Sequence, residues 1–320
     1  MIDNSTMRSK IFKIAEWTIF AVVIIILSLG FYLVQPVRSS RVLYLPSGSG
    51  ATIISYLHRN GLDLNGLDRY LLRFFGYPQQ GWIDIGTEHL SKADLLYKIT
   101  HAKAAMTEIT LIPGETRELF LAELSTKLHL DKRKLDAAYR KYAPYPDGVI
   151  WPDTYYIPIG ISEEHLIYYL VNRSLKRHET LAKKFFGIYN QKKWFRYVTI
   201  ASIIQKEAAD EKEMPLVSAV IYNRLRKKMP LQMDGTLNYG KYSHTKVTKR
   251  RIMGDMTHFN TYKYRGLPPY PVGSVSLAAL RAAIKPAGTD YLYFVKGKNG
   301  RHIFTKRYSS HLRAIKSVNK

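Results

Sequence analysis

An uncharged apolar run near the N-terminus constrains this chain more than any other feature. Residues 17–34 contain no charged side chain, and a helix of that length crosses the hydrocarbon core of a bilayer. Trp17 at its start and Phe31 and Tyr32 near its end match the aromatic belts of membrane interfaces. A cleaved signal peptide is the alternative, but its apolar core would be shorter and no Ala-x-Ala site follows the run. We therefore predict an uncleaved membrane-spanning helix.

The charges that flank this run favour a cytoplasmic N-terminus. Three basic residues precede the span, while Arg38 and Arg41 follow it closely, so the positive-inside asymmetry is small. A long C-terminal body translocates largely regardless of its charge. We expect residues 1–16 to form a cytoplasmic tail, and we expect the body to lie on the extracytoplasmic side of a bacterial inner membrane.

The composition is strongly basic and lacks cysteine. Lys and Arg number 49 against 25 Asp and Glu, for a formal net charge of +24. This charge suits an anionic polymer or simply a solvated basic surface, and no nucleic-acid-binding motif is present, so we expect no nucleic-acid partner. The absence of cysteine excludes disulfides, thiolate nucleophiles and Cys-ligated metals, and the histidines show no metal-ligand spacing. We expect neither a metal nor a cofactor.

A strand–turn–helix pattern repeats after the apolar run. Each copy has a short apolar strand, turn residues and an amphipathic helix, and Ser91 is the predicted N-cap of one helix. The pattern predicts a small α+β module, which could bind glycans or act as a spacer. The predicted strands and turns span residues 42–48, 82–86 and 109–114, and the helices span residues 51–57, 93–99 and 119–130.

Turn-forming residues at 142–148 indicate a boundary, followed by an aromatic cluster at 151–156. Beyond it the pattern predicts helices at 163–175, 197–208 and 216–226, and a hairpin whose strands are 291–295 and 302–304. The long polar loops between 229 and 271 are typical places for a functional site. The fold class is therefore α+β, with a larger mixed second domain.

A carboxylate lies on the apolar face of the predicted helix 197–208. At about 100° per residue, Ile200, Ile203, Ile204 and Glu207 share one sector. Burial beside hydrocarbon raises the pKa of a carboxyl group, and a carboxyl that is still protonated near neutral pH can act as a general acid. The alternative is a buried glutamate that pairs with a basic residue such as Arg224. Asp210 and Glu213, which precede Pro215, are predicted to cap the following helix.

Several motifs occur in a fixed order along the body, at residues 201–207, 222–226, 231–236, 259–262, 266–269 and 291–294. Together with the apolar run and the Trp-Pro-Asp-Thr-Tyr segment that starts at Trp151, they resemble the YceG-like (MltG) family of membrane-anchored endolytic murein transglycosylases. The resemblance covers nearly the whole chain. It implies a LysM-like α+β region at 42–145 and a catalytic domain at 146–320.

The family's catalytic glutamate falls on Glu207. Gln205, Ala208 and Gly235 depart from the family pattern, standing where many relatives carry Glu, Thr and Pro. The resemblance implies cleavage of the MurNAc–GlcNAc bond in nascent glycan strands, with formation of 1,6-anhydroMurNAc ends. One glutamate suffices, because the substrate's own C6 hydroxyl is the acceptor and Glu207 acts first as acid and then as base.

Candidate substrate-binding residues lie in the loops that follow Glu207. Asp234 could orient Glu207 or bind a sugar, although an Asp before Gly is often only a turn residue. Asn260 and Thr261 could equally form bonds within their own loop. The candidate set is Gln232, Asp234, Thr236, Asn260, Thr261 and Tyr262.

Two other functions remain open on the sequence alone. A muramidase-type hydrolase would use Asp234 to position a water molecule. A non-catalytic, membrane-tethered scaffold would bind glycan strands without cutting them. The expected partners are peptidoglycan glycan strands and the membrane, with a peptidoglycan synthase as a further candidate.

Overall fold

The computed structural model describes the backbone of residues 4–318 and the side chains of residues 12–318. The chain divides into two compact units. Unit 1 runs to Thr107 and includes Pro158–Gly160, while unit 2 comprises Glu108–Ile157 and the chain from Ile161 onward. The expected boundary at 142–148 lies inside unit 2, because the strand and helix predicted at 109–130 pack into the core of unit 2 through Ile109 and Phe120.

The N-terminal apolar run forms one long helix, as predicted. Helix α1 spans Asn4–Val34, and its segment Phe12–Val34 is a 23-residue stretch long and apolar enough to cross a membrane. The predicted span 17–34 lies wholly within this stretch. The fold therefore combines one apolar N-terminal helix with mixed α+β units.

Unit 1 contains short antiparallel strand pairs and small helices. Strand β1 pairs with β4, and β2 pairs with β3. Ser49 and Ser91 cap helices by accepting bonds from the backbone N–H groups of Thr52 and Asp94, so the predicted Ser91 cap is confirmed. Strands β1 and β4 and helix α3 were not predicted from the sequence. The elements are β1 Pro36–Arg38, β2 Val42–Leu45, α2 Gly50–Arg59, α3 Asp68–Phe75, β3 Gly81–Asp84, β4 His89–Ser91 and α4 Lys92–His101.

Unit 2 is mainly helical. Its predicted helices and its C-terminal hairpin, formed by β7 and β8, are confirmed. The elements from β5 onward are β5 Met106–Thr110, α5 Arg117–Leu128, α6 Lys132–Tyr142, β6 Thr154–Pro158, α7 Glu163–Phe186, α8 Gln191–Glu207, α9 Met214–Arg226, the 3-10 turns Asp234–Leu237 and Gly240–Tyr242, α10 Lys249–Gly254, α11 Leu277–Ile284, β7 Tyr293–Lys296, β8 His302–Thr305 and α12 Tyr308–Val318.

Helix α8 runs through the core of unit 2 and packs against α9 and α11. Its residues Val198, Ile203 and Ile204 are fully buried. The predicted capping by Asp210 and Glu213 is confirmed only in part: Asp210 Oδ1 accepts from the backbone N–H of Glu213 at 3.0 Å, whereas the Glu213 side chain makes no cap bond to α9. Its carboxylate accepts bonds from the backbone N–H of His302 at 2.8 Å and contacts His302 Nδ1 at 2.7 Å, so it ties α9 to β8 instead.

Candidate active site

Glu207 is the last residue of α8. Beneath it Ile200, Ile203 and Ile204 are buried, so the predicted apolar face exists. The helix ends here because Ala208 adopts an extended backbone conformation. Glu207 is only half-buried, so it lies at the border between the core of unit 2 and solvent.

The carboxyl group of Glu207 has an unusual electrostatic environment. Burial raises its pKa to about 7, and the nearby negative charge of Asp234 acts in the same direction. A backbone N–H from Gly235 donates to Oε1 at 2.6 Å and opposes this rise, because it stabilises the charged form. Glu207 is therefore poised between protonated and ionised forms near neutral pH.

The predicted alternative, a pair between Glu207 and Arg224, is not formed. The Arg224 guanidinium donates instead to the backbone oxygens of Leu292, Pro230 and Leu231 and to Oε1 of Gln232. Within residues 12–318 no Lys, Arg or His side chain forms an ion pair with Glu207. Arg224 thus holds the start of the 231–236 loop and does not pair with Glu207.

Gly235 allows the backbone to approach the carboxyl group closely. A Cβ at this position would lie 2.9 Å from Glu207 Oε1 and 2.8 Å from Lys206 Cβ. A proline at this position would have no N–H to donate. Gly235 therefore supplies this chain with a direct bond to Glu207.

Asp234 and Tyr262 form a pair beside Glu207. The Tyr262 hydroxyl donates to Asp234 Oδ1 at 2.7 Å. Burial raises the pKa of Tyr262, and its bond to Asp234 and the negative charges of Asp234 and Glu207 raise it further, so the phenol stays a hydrogen-bond donor. Two carboxyl groups and one phenol therefore meet at one place.

Three of the six candidate substrate-binding residues are buried in the loop structure. Asn260 donates to the backbone oxygens of Ile252 and Asp255, at 2.7 and 2.8 Å. Thr236 and Thr261 bond to each other at 2.9 Å, and each also bonds to the backbone of Met233. These side chains shape the loop that presents Asp234 and Gly235.

Gln232 and Asp234 are exposed, and Tyr262 is half-buried. Gln232 has a φ of 52°, in the left-handed region, and its backbone N–H donates to Thr261 O at 3.1 Å. This bond connects the 231–233 segment to the loop at 261. Asp234 and Tyr262 therefore lie beside Glu207 on a loop framework built by the buried members of the candidate set.

A second polar cluster, which was not predicted from the sequence, lies at the same end of α8. Lys206 Nζ donates to Ser243 Oγ at 3.0 Å, and Glu115 Oε2 pairs with His244 Nε2 at 2.7 Å. Thr116 Oγ1 donates to Gly240 O at 2.8 Å. The cluster ties the loop after Gly235 to the start of α5. Its members are far apart in sequence, so no spacing rule could have connected them.

Next to this cluster is a cavity of about 390 Å³ within unit 2. Asp147, on its wall, is buried, and burial raises its pKa to about 7 although the backbone N–H groups of Gly148 and Arg117 donate to it. The aromatic rings of Tyr239 and Tyr270 also border the cavity. In the part of the chain that the structure describes, no three His, Asp or Glu side chains are grouped to hold a metal ion.

Comparison with known proteins gives consistent results. A protein of Bacillus subtilis (strain 168) named endolytic murein transglycosylase is 26% identical over 319 residues, covering 89% of this chain and 88% of its own length. An endolytic murein transglycosylase of Streptococcus pneumoniae serotype 2 (strain D39 / NCTC 7466) is 31% identical over 156 residues, which are 47% of this chain and 28% of that protein.

A solved structure and a family profile extend the match. The crystal structure of a yceG-like protein from Listeria monocytogenes has a TM-score of 0.56 at 23% identity, covering 86% of this chain and 99% of that one, and it shows a shared fold. The sequence profile described as the YceG-like family matches residues 43–317, which cover parts of both units and include Glu207. The chain belongs to the YceG-like family.

Proposed function

We propose that this protein is a peptidoglycan lytic transglycosylase that cuts within glycan strands, with Glu207 as its acid and base. The observation that carries this proposal is the half-buried carboxyl group of Glu207, whose pKa is raised to about 7 without a basic partner among the described side chains. The names of the relatives, endolytic murein transglycosylases, support the substrate class.

The reaction needs one proton donor that becomes a proton acceptor. Protonated Glu207 gives its proton to the glycosidic oxygen as the bond from C1 of MurNAc breaks. The ionised carboxylate then removes the proton from the C6 hydroxyl of the same MurNAc, and that oxygen forms the new bond to C1. The products are a 1,6-anhydroMurNAc end and a free GlcNAc hydroxyl, and Glu207 is protonated again.

Asp234 supplies negative charge beside the reacting carbon. Glycosidic cleavage passes through an oxocarbenium-like state, in which positive charge develops on the sugar ring. Asp234 is held in place by Tyr262 and is exposed, so it can face this charge or accept a bond from a sugar hydroxyl. Gln232 and Tyr262 are the other candidate substrate contacts, whereas Thr236, Asn260 and Thr261 maintain the loop.

The rest of the proposed role concerns location and partners. Helix α1 anchors the protein in the inner membrane, with the body on the extracytoplasmic side, and its length and apolar composition support this. The net charge of +24 suits peptidoglycan, whose stem peptides carry carboxylates. A LysM-like role for unit 1 in glycan binding and contact with a peptidoglycan synthase are parts of the same proposal.

The test compares two glutamate variants of the full-length protein in detergent. We expect the native protein to release anhydro-ended muropeptides from purified murein, as measured by mass spectrometry, and Glu207→Gln to release none. Glu211→Gln is the matched control, because Glu211 is exposed and lies beyond the end of α8. Murein that stays uncut, or anhydro ends that persist with Glu207→Gln, would contradict the proposal.

The proximity of Asp234 to Glu207 favours a second candidate, a muramidase-type hydrolase in which Asp234 positions water. The same digestion in ¹⁸O-labelled water separates the two reactions. A hydrolase places ¹⁸O on new reducing ends, while a transglycosylase leaves anhydro ends without label. We expect the unlabelled product.

A further inference from the structure

Unit 1 makes direct contact with the last turns of helix α1. Leu29 and Leu33 of that helix pack against the buried core of unit 1. The hydroxyl of Tyr32 donates to Asp68 Oδ2 at 2.8 Å, and Lys92 Nζ lies 4.1 Å from the centre of the Tyr32 ring. Leu29 precedes the end of the helix by roughly 7 Å at 1.5 Å per residue. The folded part of unit 1 therefore reaches the level at which the apolar stretch ends.

Helix α3 begins at Asp68, the residue that contacts Tyr32, and it exposes large apolar side chains on its outer face. Leu67, Tyr70 and Phe74 follow one another at helical spacing on this face, and Tyr77 comes just after the helix. Phe74 is 87% exposed and Tyr77 is 95% exposed. Large apolar side chains grouped on an exposed face mark an interaction surface.

Two arginines accompany these apolar side chains. Arg69 and Arg73 are one helical turn apart and exposed, and neither forms an ion pair with a described acidic side chain. Both line a cavity of about 710 Å³ between α3 and the start of α2, together with Tyr70 and Tyr77. The cavity therefore combines two guanidinium groups with two phenol rings.

We propose that this α3 surface, formed by Leu67, Arg69, Tyr70, Arg73, Phe74 and Tyr77, rests on the membrane that α1 spans and binds anionic phospholipids there. The apolar and aromatic side chains enter the interface, where such rings are favoured, and the arginines bond the lipid phosphate groups. This inference rests on the proposed membrane anchor, since the position of Asp68 against Tyr32 places α3 at the interface.

A glycan strand is a different occupant, and the structure favours the bilayer over it. Sugar rings stack on tyrosine, but Leu67 and Phe74 carry no polar group, and Phe74 is among the most exposed side chains of unit 1. Helix α3 is also tied to the last turn of α1, because its first residue, Asp68, accepts a bond from the Tyr32 hydroxyl. Apolar groups beside arginines at this level match the composition of interfacial helices.

The test uses the absence of cysteine, which allows single labelling sites in the full-length protein. Phe74→Cys and, separately, Tyr77→Cys carry an environment-sensitive fluorophore in nanodiscs that contain a head-group quencher lipid. We expect strong quenching at both positions in discs with anionic phospholipid, and weaker quenching in purely zwitterionic discs. Glu88→Cys is the control, because Glu88 is exposed in unit 1 but outside the surface.

Charge variants in the labelled background test the role of the arginines. Arg73→Gln should weaken the surface-bound state by about fivefold in anionic discs, which corresponds to one basic residue near such a surface. The matched variant Lys103→Gln, which removes an exposed charge of unit 1 outside α3, should leave the quenching unchanged. Equal effects of the two variants would overturn the specific role of α3.

A label at Leu27→Cys separates this inference from the membrane anchor. Leu27 is exposed on α1 within the apolar stretch. Quenching at 27 by acyl-chain quenchers without quenching at 74 or 77 overturns the α3 inference and leaves the anchor standing. Absence of quenching at all three positions overturns both. A response at 74 to isolated glycan strands, with none to lipid, assigns the surface to glycan and also overturns the inference.

Discussion

Glu207, the proposed acid and base, and its closest contacts give predictions at the scale of single residues. Because burial raises the pKa of Glu207 to about 7, the protonated form that donates to the glycosidic oxygen is lost as the pH rises through that value. We expect kcat/KM on murein fragments to fall about tenfold for each pH unit above about 7. A profile of initial rates from pH 5 to about 9 checks this, and a flat profile across neutrality would refute it.

The same raised pKa predicts a stability effect. In the unfolded chain the carboxyl ionises near its usual 4.5, and in the folded chain near 7, so between these values the folded state holds a proton that the unfolded state has lost. The contribution of Glu207 to the free energy of unfolding therefore falls as the pH rises from 4.5 to about 7. Glu207→Gln should become relatively more stable over that window, by about 1–2 kcal/mol at pH 8 after allowance for its partial exposure.

Thermal unfolding of the two proteins at acid and alkaline pH measures this difference. Glu211→Gln, whose parent residue is exposed, should show no comparable change with pH. A Glu207→Gln variant that is less stable than the native protein at pH 8 would contradict the stated environment of Glu207.

The close approach of Gly235 to the carboxyl group of Glu207 gives a further prediction. An alanine Cβ would meet Glu207 Oε1 at 2.9 Å, so Gly235→Ala must push the backbone N–H away from the carboxylate. Because that bond stabilises the charged form, its loss should raise the pKa of Glu207 by about 1 unit and move the alkaline limb of the rate profile upward. Gly254→Ala, at a position with open space around it, is the control and should leave the profile in place.

At the scale of elements, the loops rather than the helices determine the shape of the candidate site. The Asn260 side chain is buried and donates to two backbone oxygens in the 252–255 segment. Asn260→Ala leaves those oxygens unpaired, and we expect it to lower the free energy of unfolding by about 2 kcal/mol.

Chemical denaturation measures that loss. Gln232→Ala, at an exposed position in the same loop system, should cost much less stability and act mainly on KM. Equal destabilisation by the two variants would contradict the division between framework and contact residues.

The sequence predicted elements better than it predicted sites. Periodicity located α8 and α9, because each buries apolar side chains in the core, whereas the long uncharged run located α1 and the apolar strands around a turn located the β7–β8 hairpin. Helix α3 was missed because its outer face carries apolar residues as well, which obscures the pattern. The position of Glu207 on the apolar face of its helix was predicted from periodicity. The bond from Gly235 to Glu207 and the bond from Lys206 to Ser243 depend on loop conformation, which has no sequence period.

At the scale of the whole molecule, net charge governs the encounter with the substrate. A chain with a formal charge of +24 should bind an acidic polymer through long-range attraction that salt screens. We expect cosedimentation of the Glu207→Gln protein with murein to weaken strongly between about 0.05 M and about 0.5 M salt. Retention that does not depend on salt would show that short-range contacts dominate instead.

The junction between α1 and unit 1 has a mechanical consequence. Only Gln35 separates the end of α1 at Val34 from β1 at Pro36, and Leu29 and Leu33 are already packed against unit 1. Such a junction contains no flexible linker, so the rest of unit 1 rotates together with the helix as one rigid body. Membrane helices tilt when their apolar length exceeds the thickness of the bilayer. For a protein anchored through α1, a thinner bilayer would therefore rotate unit 1 toward the membrane plane, and lipid thickness would set its orientation.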